Sequence, residues 1–308
     1  LPEFHFTQLM RFYAPHSSSL TLPSGHRFPK GKYEMLHTLL LKDNILQAAK
    51  LEESLPANDE SILRAHAADF IAQFENGQLE EKAMKRIGFP WSPELVKRVR
   101  ATAGGAIAAA ETAQEYGISG QLAGGTHHAH PTFGSGYCVY NDQAVAALHL
   151  LAAGMVERVA IIDLDVHQGD GSAAIFAANP SVFVFSMHGE KNFPFRKFPS
   201  DLDVALPDGI GDEDYLRALT DHLPAVFEFS PDIILYQAGV DPLAEDRLGR
   251  LALTHNGLIQ RDRVVLHACN GRGIPVSMAI GGGYADPIEA SVTAYANTYG
   301  VAKNLHGF

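Results

Sequence analysis

The segment Asp163-Leu164-Asp165-Val166-His167-Gln168-Gly169-Asp170-Gly171 closes an apolar run with polar side chains at alternate positions. In an extended chain that spacing turns Asp163, Asp165 and His167 to one side. Carboxylates crowded at a buried edge repel one another and lose hydration unless a cation or hydrogen-bond donors lie among them. A metal ion supplies that compensation. A strand-end Asp capping the next helix would explain one acid, but not Asp-x-Asp-x-His followed by Gly-Asp-Gly. Asp241, in Gln237-Ala238-Gly239-Val240-Asp241-Pro242, also stands just past an apolar run and can complete the coordination sphere, although singly it reads as a turn residue. Two Asp and one His without a thiolate suit Zn²⁺ in an open three-ligand site, and Fe²⁺ or Mn²⁺ accept the same donors.

Two further segments carry groups able to move or donate protons. Gly124-Gly125-Thr126-His127-His128-Ala129-His130-Pro131 holds adjacent His residues that an extended backbone turns in different directions. They therefore serve two roles rather than chelate one ion. Each needs an orienting partner, and Asp163 and Asp170 are spare acids. The bland alternative is a surface His cluster, and His130 reads as a rim or structural residue. Gly281-Gly282-Gly283-Tyr284 follows another apolar run, where a flexible turn can bring the Tyr284 hydroxyl to a developing oxyanion.

The elements that must position these groups alternate along the chain. Apolar runs over 159–165, 182–187, 233–238 and 276–280, with another at 118–123, read as buried strands. Helical patterns cover 92–116, 142–153, 213–229, 255–270 and 286–299. Ser92-Pro93-Glu94 is a helix-start signal, and Asp212 is the expected cap of the helix after it. The alternation predicts a wound α/β domain, and all four chemical segments fall at carboxyl ends of strands, where open parallel sheets assemble their sites. The Pro-, Gly- and Phe-rich stretches 14–31 and 188–211 are expected to form active-site rims.

Composition narrows the field. With 46% hydrophobic and 19% charged residues the chain buries a real core. A net charge of −11 argues against direct binding of nucleic acid and favours a basic ligand. Two cysteines, Cys138 and Cys269, are too few for a disulfide framework or a thiolate zinc site. No apolar run reaches the ~18 residues of a membrane span. The first residues lack the order of a secretory signal, so a cytoplasmic protein is expected, although the chain begins at Leu1 rather than Met.

Gly-Gly-Thr-His-His-Ala, Asp-Leu-Asp-Val-His-Gln-Gly-Asp-Gly, Gln-Ala-Gly-Val-Asp-Pro and Gly-Gly-Gly-Tyr, in this order and over most of the chain, resemble the zinc-dependent histone deacetylase superfamily. Gly134-Ser135-Gly136-Tyr137-Cys138-Val139-Tyr140-Asn141-Asp142 is similar to that family's Gly-Phe-Cys-x-x-Asn-Asp segment. Arg64-Ala65-His66 with Phe70-Ile71 agrees as well. Asp-x-Asp-x-His-Gln-Gly and Glu245-Asp246-Arg247-Leu248-Gly249 look most like class IV and related bacterial members.

The resemblance implies an arginase/deacetylase fold, a single domain over 1–308 with one open parallel sheet and helices on both faces. It implies that Asp165, His167 and Asp241 hold zinc. His128, oriented by Asp170, matches the general base for the attacking water. His127, paired with Asp163, matches an electrostatic helper, and Tyr284 matches the phenol that polarises the acyl carbonyl. A structural K⁺ would sit among Asp163, Asp165, His167, Ser186 and Met187. Tyr137 replaces the usual channel Phe, Phe193 supplies the opposite wall, and Gly136 offers a carbonyl to the substrate amide. The implied reaction removes acetyl or longer acyl groups from lysine side chains of a peptide or protein. Small acylated amines such as acetylpolyamines are the rival substrates, but Leu248 stands where polyamine deacetylases carry an acidic gate. An acyl-lysine-binding scaffold would tolerate lost catalytic residues, and none is lost here. A ureohydrolase of the same fold needs two adjacent Mn²⁺ sites, and the chain supplies one ligand set.

Overall fold

The computed structural model describes residues 10–17 and 20–308, so residues 1–9 of the expected domain and Ser18 and Ser19 of the expected rim lie outside the described residues. Its strands are β1 (Phe12–Ala14), β2 (Leu51–Glu53), β3 (Ile118–Gln121), β4 (Val159–Asp163), β5 (Val182–Gly189), β6 (Leu202–Leu206), β7 (Ile233–Gly239) and β8 (Val276–Gly281). They form one eight-stranded sheet in the order β2-β1-β3-β8-β7-β4-β5-β6, every pair parallel. The helices are α1 (Lys32–Lys42), α2 (Asp59–Ala65), α3 (Ala68–Glu75), α4 (Glu81–Ile87), α5 (Pro93–Tyr116), α6 (Asp142–Ala152), α7 (Asp170–Phe176), α8 (Asp212–Glu228), α9 (His255–Asn270) and α10 (Ile288–His306). The molecule is a single α/β domain of the kind the alternation predicts.

The unbroken apolar runs of β4 and β7 follow from covering both faces of the sheet. Ala160, Ile162, Ile234 and Tyr236 join a core with Leu36, Leu40, Leu219, Val265 and Tyr299, from α1 and α8 to α10. Their neighbours Val159, Ile161, Ile233 and Leu235 join the opposite core, with Ile62, Phe70, Leu95, Ala103 and Val145 from α2, α3, α5 and α6. The Ser92 start signal works as predicted, its hydroxyl accepting the Leu95 N–H at 3.1 Å with Pro93 in the first turn.

Several local expectations need correction. β4 ends at Asp163 rather than 165, because carboxylates capture the next amides: Asp163 Oδ1 accepts Asp165 N–H, and Asp165 Oδ1 accepts His167 N–H. Asp212 does not cap α8, whose cap is Gly211; its carboxylate accepts the amide and hydroxyl of Thr254 at the start of α9. The stretch 188–211 is not all rim, since Leu202–Leu206 forms the edge strand β6, with alternately exposed residues. The last helix runs 288–306 rather than 286–299 and begins after Pro287, whose backbone is extended. The elements β1, β2, α1 to α4 and α7 are short, and no periodicity announced them.

His66 ties the α2–α3 corner to the site's loops. Its Nδ1–H donates to His130 O at 3.0 Å, and its Nε2 accepts the Asn141 amide at 2.9 Å, just before α6. The second bond needs a neutral ring, since a protonated Nε2 cannot accept, and burial pushes the His66 pKa down from 6.5 to about 4. The unfolded chain therefore takes up a proton between those values and the folded chain does not. The His66 contribution is complete above pH 6.5 and is lost as pH falls toward 4, at most about 3 kcal/mol. Urea unfolding should show the wild type losing more stability than His66→Phe between about pH 7 and pH 4. Equal losses would mean that the ring titrates normally.

Candidate active site

The carboxyl ends of β3, β4, β7 and β8, neighbours in the sheet, open into one cavity of about 810 Å³. This is the edge where a parallel sheet offers its loops to a ligand. Both expected rim stretches reach it, through Leu20 and Phe28 and through Lys191, Asn192, Phe193 and Phe195.

Asp165 and His167 on the loop after β4, and Asp241 on the loop after β7, bring their ligand atoms within 4.8 Å of one another. His167 Nδ1 lies 3.0 Å from Asp165 Oδ1 and 3.1 Å from Asp241 Oδ2. Burial opposes charge on His167, yet the two carboxylates outweigh it and hold its pKa up at about 10. Burial and the Asp165 charge together raise the Asp241 carboxyl. Positive charge is thus strongly favoured among these groups, and two carboxylate oxygens with one imidazole nitrogen fit a divalent ion. The ligand-bearing loops are held by groups that no motif announced. Val166 N–H donates to Asp241 Oδ1 at 2.8 Å, and the fully buried Arg261 of α9 donates to the carbonyls of both Gly239 and Leu164.

The adjacent His residues after β3 reach different acids. His127 Nδ1 is 2.6 Å from Asp163, and His128 Nδ1 is 2.6 Å from Asp170. Burial opposes charging of His127, but Asp163 and Asp165 hold its pKa up at about 9. Burial, aided by charged His127, pushes His128 down to about 3 despite Asp170. The two rings are thus pushed in opposite directions, His127 toward its charged form and His128 toward its neutral form. His130, expected as rim or structure, shares Asp170 through Nε2 at 2.9 Å. Asp142 fixes this loop from the first turn of α6, accepting the amides of Gly125 and Thr126 at 3.0 and 2.8 Å.

Tyr284 lies on the loop after β8, where Gly282 has φ +62 and a side chain would run into the Asp241 carboxylate. Lys32 and Asp246 fasten this loop. Buried Lys32 donates to Gly282 O at 2.5 Å with its Nζ 4.9 Å from the Tyr284 ring centroid, and desolvation lowers its pKa to about 8. Asp246 accepts the amides of Tyr284, Leu248 and Gly249 at 2.6, 2.8 and 3.0 Å. Burial of Tyr284 pushes its phenol well above 10, so its proton stays available for donation. Nothing in the sequence reveals that Lys32, in Gly31-Lys32-Tyr33, is an interior residue.

The remaining expected residues divide between wall and interior. Gly136 and Tyr137 line the cavity, Tyr137 at φ +65 with its ring 6.0 Å from that of Tyr284. Phe193 stands edge-on to His128 at 4.8 Å, and Leu248 is 45% exposed at the mouth. Ser186 and Met187 are buried on β5, with Ser186 in register with Asp163. No helix among the described residues is long and apolar enough to cross a membrane.

The wound parallel sheet thus brings to one cavity an Asp165, His167 and Asp241 cluster that could hold a metal ion, a His128–Asp170 pair and the buried Tyr284 phenol. The histone deacetylase domain family matches residues 26–299, and the chain belongs to that family. An uncharacterized protein of Picosynechococcus sp. is 43% identical over 92% of this chain and 95% of its own length. The histone deacetylase-like amidohydrolase of Pseudomonas aeruginosa is 30% identical over 92% and 81%. A crystal structure of an HDAC homolog complexed with SAHA superposes with a TM-score of 0.81 at 25% identity, over 96% of this chain and 84% of that one.

Two outcomes follow from this geometry. Zn²⁺ added to chelator-treated protein should raise its melting temperature, and Asp241→Asn should remove most of that gain along with bound metal measured by elemental analysis. A full gain in the variant would locate the ion elsewhere. Asp246→Ala, which strips three amides of their acceptor, should cost about 3 kcal/mol in urea unfolding, whereas a loss below about 1 kcal/mol would mean that water replaces the carboxylate.

Proposed function

We propose that this chain is a metal-dependent amidohydrolase that removes acetyl or longer acyl groups from lysine side chains. The observation that carries the reading is the placement of a carboxylate-oriented His128 and the Tyr284 phenol on the cavity that also holds the Asp165, His167 and Asp241 cluster. Zn²⁺, or Fe²⁺ with the same donors, would polarise the acyl carbonyl and make the attacking water more acidic.

The chain's own residues supply the rest. With Nδ1–H given to Asp170, His128 Nε2 takes the proton from water as its oxygen attacks the carbonyl carbon. Tyr284 donates its hydroxyl to the developing oxyanion, and charged His127 favours that negative charge. Collapse breaks the C–N bond, and the proton held at His128 goes to the departing amine, releasing lysine and a carboxylate. Phe193 and Tyr137 would flank the uncharged lysine stem, while Gly136 O would accept the amide N–H. Asp163, Asp165, His167, Ser186 and Met187 are the residues that would hold K⁺, a reading supported by the pairing of Asp163 with Ser186 across β4 and β5. Within the family, Asp-x-Asp-x-His-Gln-Gly supports placement near class IV and related bacterial members.

The test is hydrolysis of a matched series of lysine peptides from acetyl to long-chain acyl, with acetylpolyamines alongside. Peptide turnover is expected. His128→Ala should lower kcat by ~10²-fold or more and Tyr284→Phe by a similar factor, with metal content unchanged. Cleavage of polyamines alone would move the substrate to small amines, and full turnover in both variants would overturn the roles assigned here.

A further inference from the structure

The cavity's mouth does not share the charge of the molecule. Its lining includes the buried carboxylates of Asp165 and Asp241, but its exposed charged residues are Lys85, Arg86, Lys191, Arg247 and Arg250, with Lys32 and Arg98 deeper in, and no exposed carboxylate lines it among the described residues. Two nearby acids serve three of these five cations: Glu81 meets Lys85 at 2.6 Å, and Asp208 is shared by Lys191 at 3.5 Å and Arg250 at 3.3 Å. All of these pairs are substantially exposed and weakly held. Arg86 is held by the Gly134 carbonyl and the Phe133 ring, and Arg247 by the Tyr284 carbonyl. Neither of those contacts neutralises a charge.

The cations surround the opening rather than cluster on one side. Arg86 belongs to the segment whose carbonyls accept the amides of Gly136 and Tyr137. Lys191 precedes Phe193 on the next wall, and Arg247 is bonded to Tyr284 itself. Between them Phe195 and Leu248 are 88% and 45% exposed, offering apolar footing beside the charges. A polyamine or a Lys- and Arg-rich segment would meet like charge here, so the basic ligand expected from the net charge of −11 is not what this rim accommodates. Glu190 and Glu245 stand next to Lys191 and Arg247 in the chain but do not line the cavity, and acids more than ~8 Å from the mouth are screened at physiological salt.

We propose that the rim is a docking surface for an acidic polypeptide, so that the preferred substrate is an acyl-lysine flanked by Asp or Glu. This rests on the deacylase reading for the acyl-lysine but not for the acidic flanks. The test uses three labelled peptides with the same central acetyl-lysine and flanks of Glu, Ser or Lys, bound to the metal-loaded His128→Ala protein and followed by fluorescence anisotropy. In about 20 mM salt the Glu peptide should bind ~10-fold or more tightly than the Lys peptide, and the gap should shrink to about 2-fold in 0.5 M salt. Arg86→Glu combined with Lys191→Glu should erase or reverse the order. Equal affinities, or tighter binding of the Lys peptide, would overturn the proposal. The same peptides given to the wild-type enzyme separate the two readings: acidic peptides that bind without being cleaved keep the docking surface and remove the deacylase, whereas cleavage of all three without preference, or with preference for Lys flanks, does the reverse.

Discussion

Three carboxylates, Asp163, Asp165 and Asp241, are buried together at one edge of the sheet, and much of the neighbouring structure compensates for them. Buried anions of like sign are tolerated only where protons, cations or dipoles face them. Asp163 has His127, Asp165 has His167 and the His167 amide, and Asp241 has the Val166 amide and His167. Even so, His167 Nδ1 is the group within about 3 Å of both Asp165 and Asp241, and the cluster has a donor set that a divalent ion could occupy. Negative charge is therefore concentrated at the one place on the cavity where a cation could relieve it.

Keeping such a cluster in place demands rigidity behind it. Arg261 reaches through the core to the carbonyls at the ends of β4 and β7, while Asp262 beside it accepts the hydroxyls of Tyr236 and Thr298 at 2.6 Å. Lys32 performs the matching task under the loop after β8, where glycines let backbone carbonyls come within reach of its ammonium. Both cations are buried, and both bond to carbonyls on strand ends or loops that carry site residues. Either one replaced by a neutral chain would free the loops it secures, which makes these buried cations as consequential for geometry as the proton-moving groups themselves.

The legible part of this molecule is the part where chemistry and chain direction coincide. Asp165, His167, Asp241, His127, His128 and Tyr284 could be picked out because each follows an apolar strand, and the sheet needs only its parallel order to bring strand ends together. The alternating apolar runs announced β4, β5, β7 and β8 for the same reason: both faces are covered, so nearly every residue is apolar. β6 escaped notice because Leu202-Asp203-Val204-Ala205-Leu206 is an edge strand with one face in solvent, embedded in a Pro- and Phe-rich stretch. Lys32, Asp246 and Arg261 escaped because charged residues are ordinarily at the surface, and only tertiary contacts pull them inside. The positive rim was invisible because its members come from segments near 85, 191 and 247, which the fold alone brings to one opening.

The two adjacent His residues show how much of a site is decided by what each side chain faces. His127 and His128 have the same chemistry and similar burial, and each is bonded to one carboxylate at 2.6 Å. They part because His127 has a second acid within 3.8 Å, in Asp165, whereas Asp170 divides its oxygens between His128 and His130. Once His127 is charged, its ring, 4.1 Å away, discourages a second proton on His128. The neutrality of His128 is thus a consequence of the cation beside it as much as of its own burial. Replacing Asp163 would act on both rings, since a His127 that loses its charge removes part of the reason for His128 to stay free of a proton.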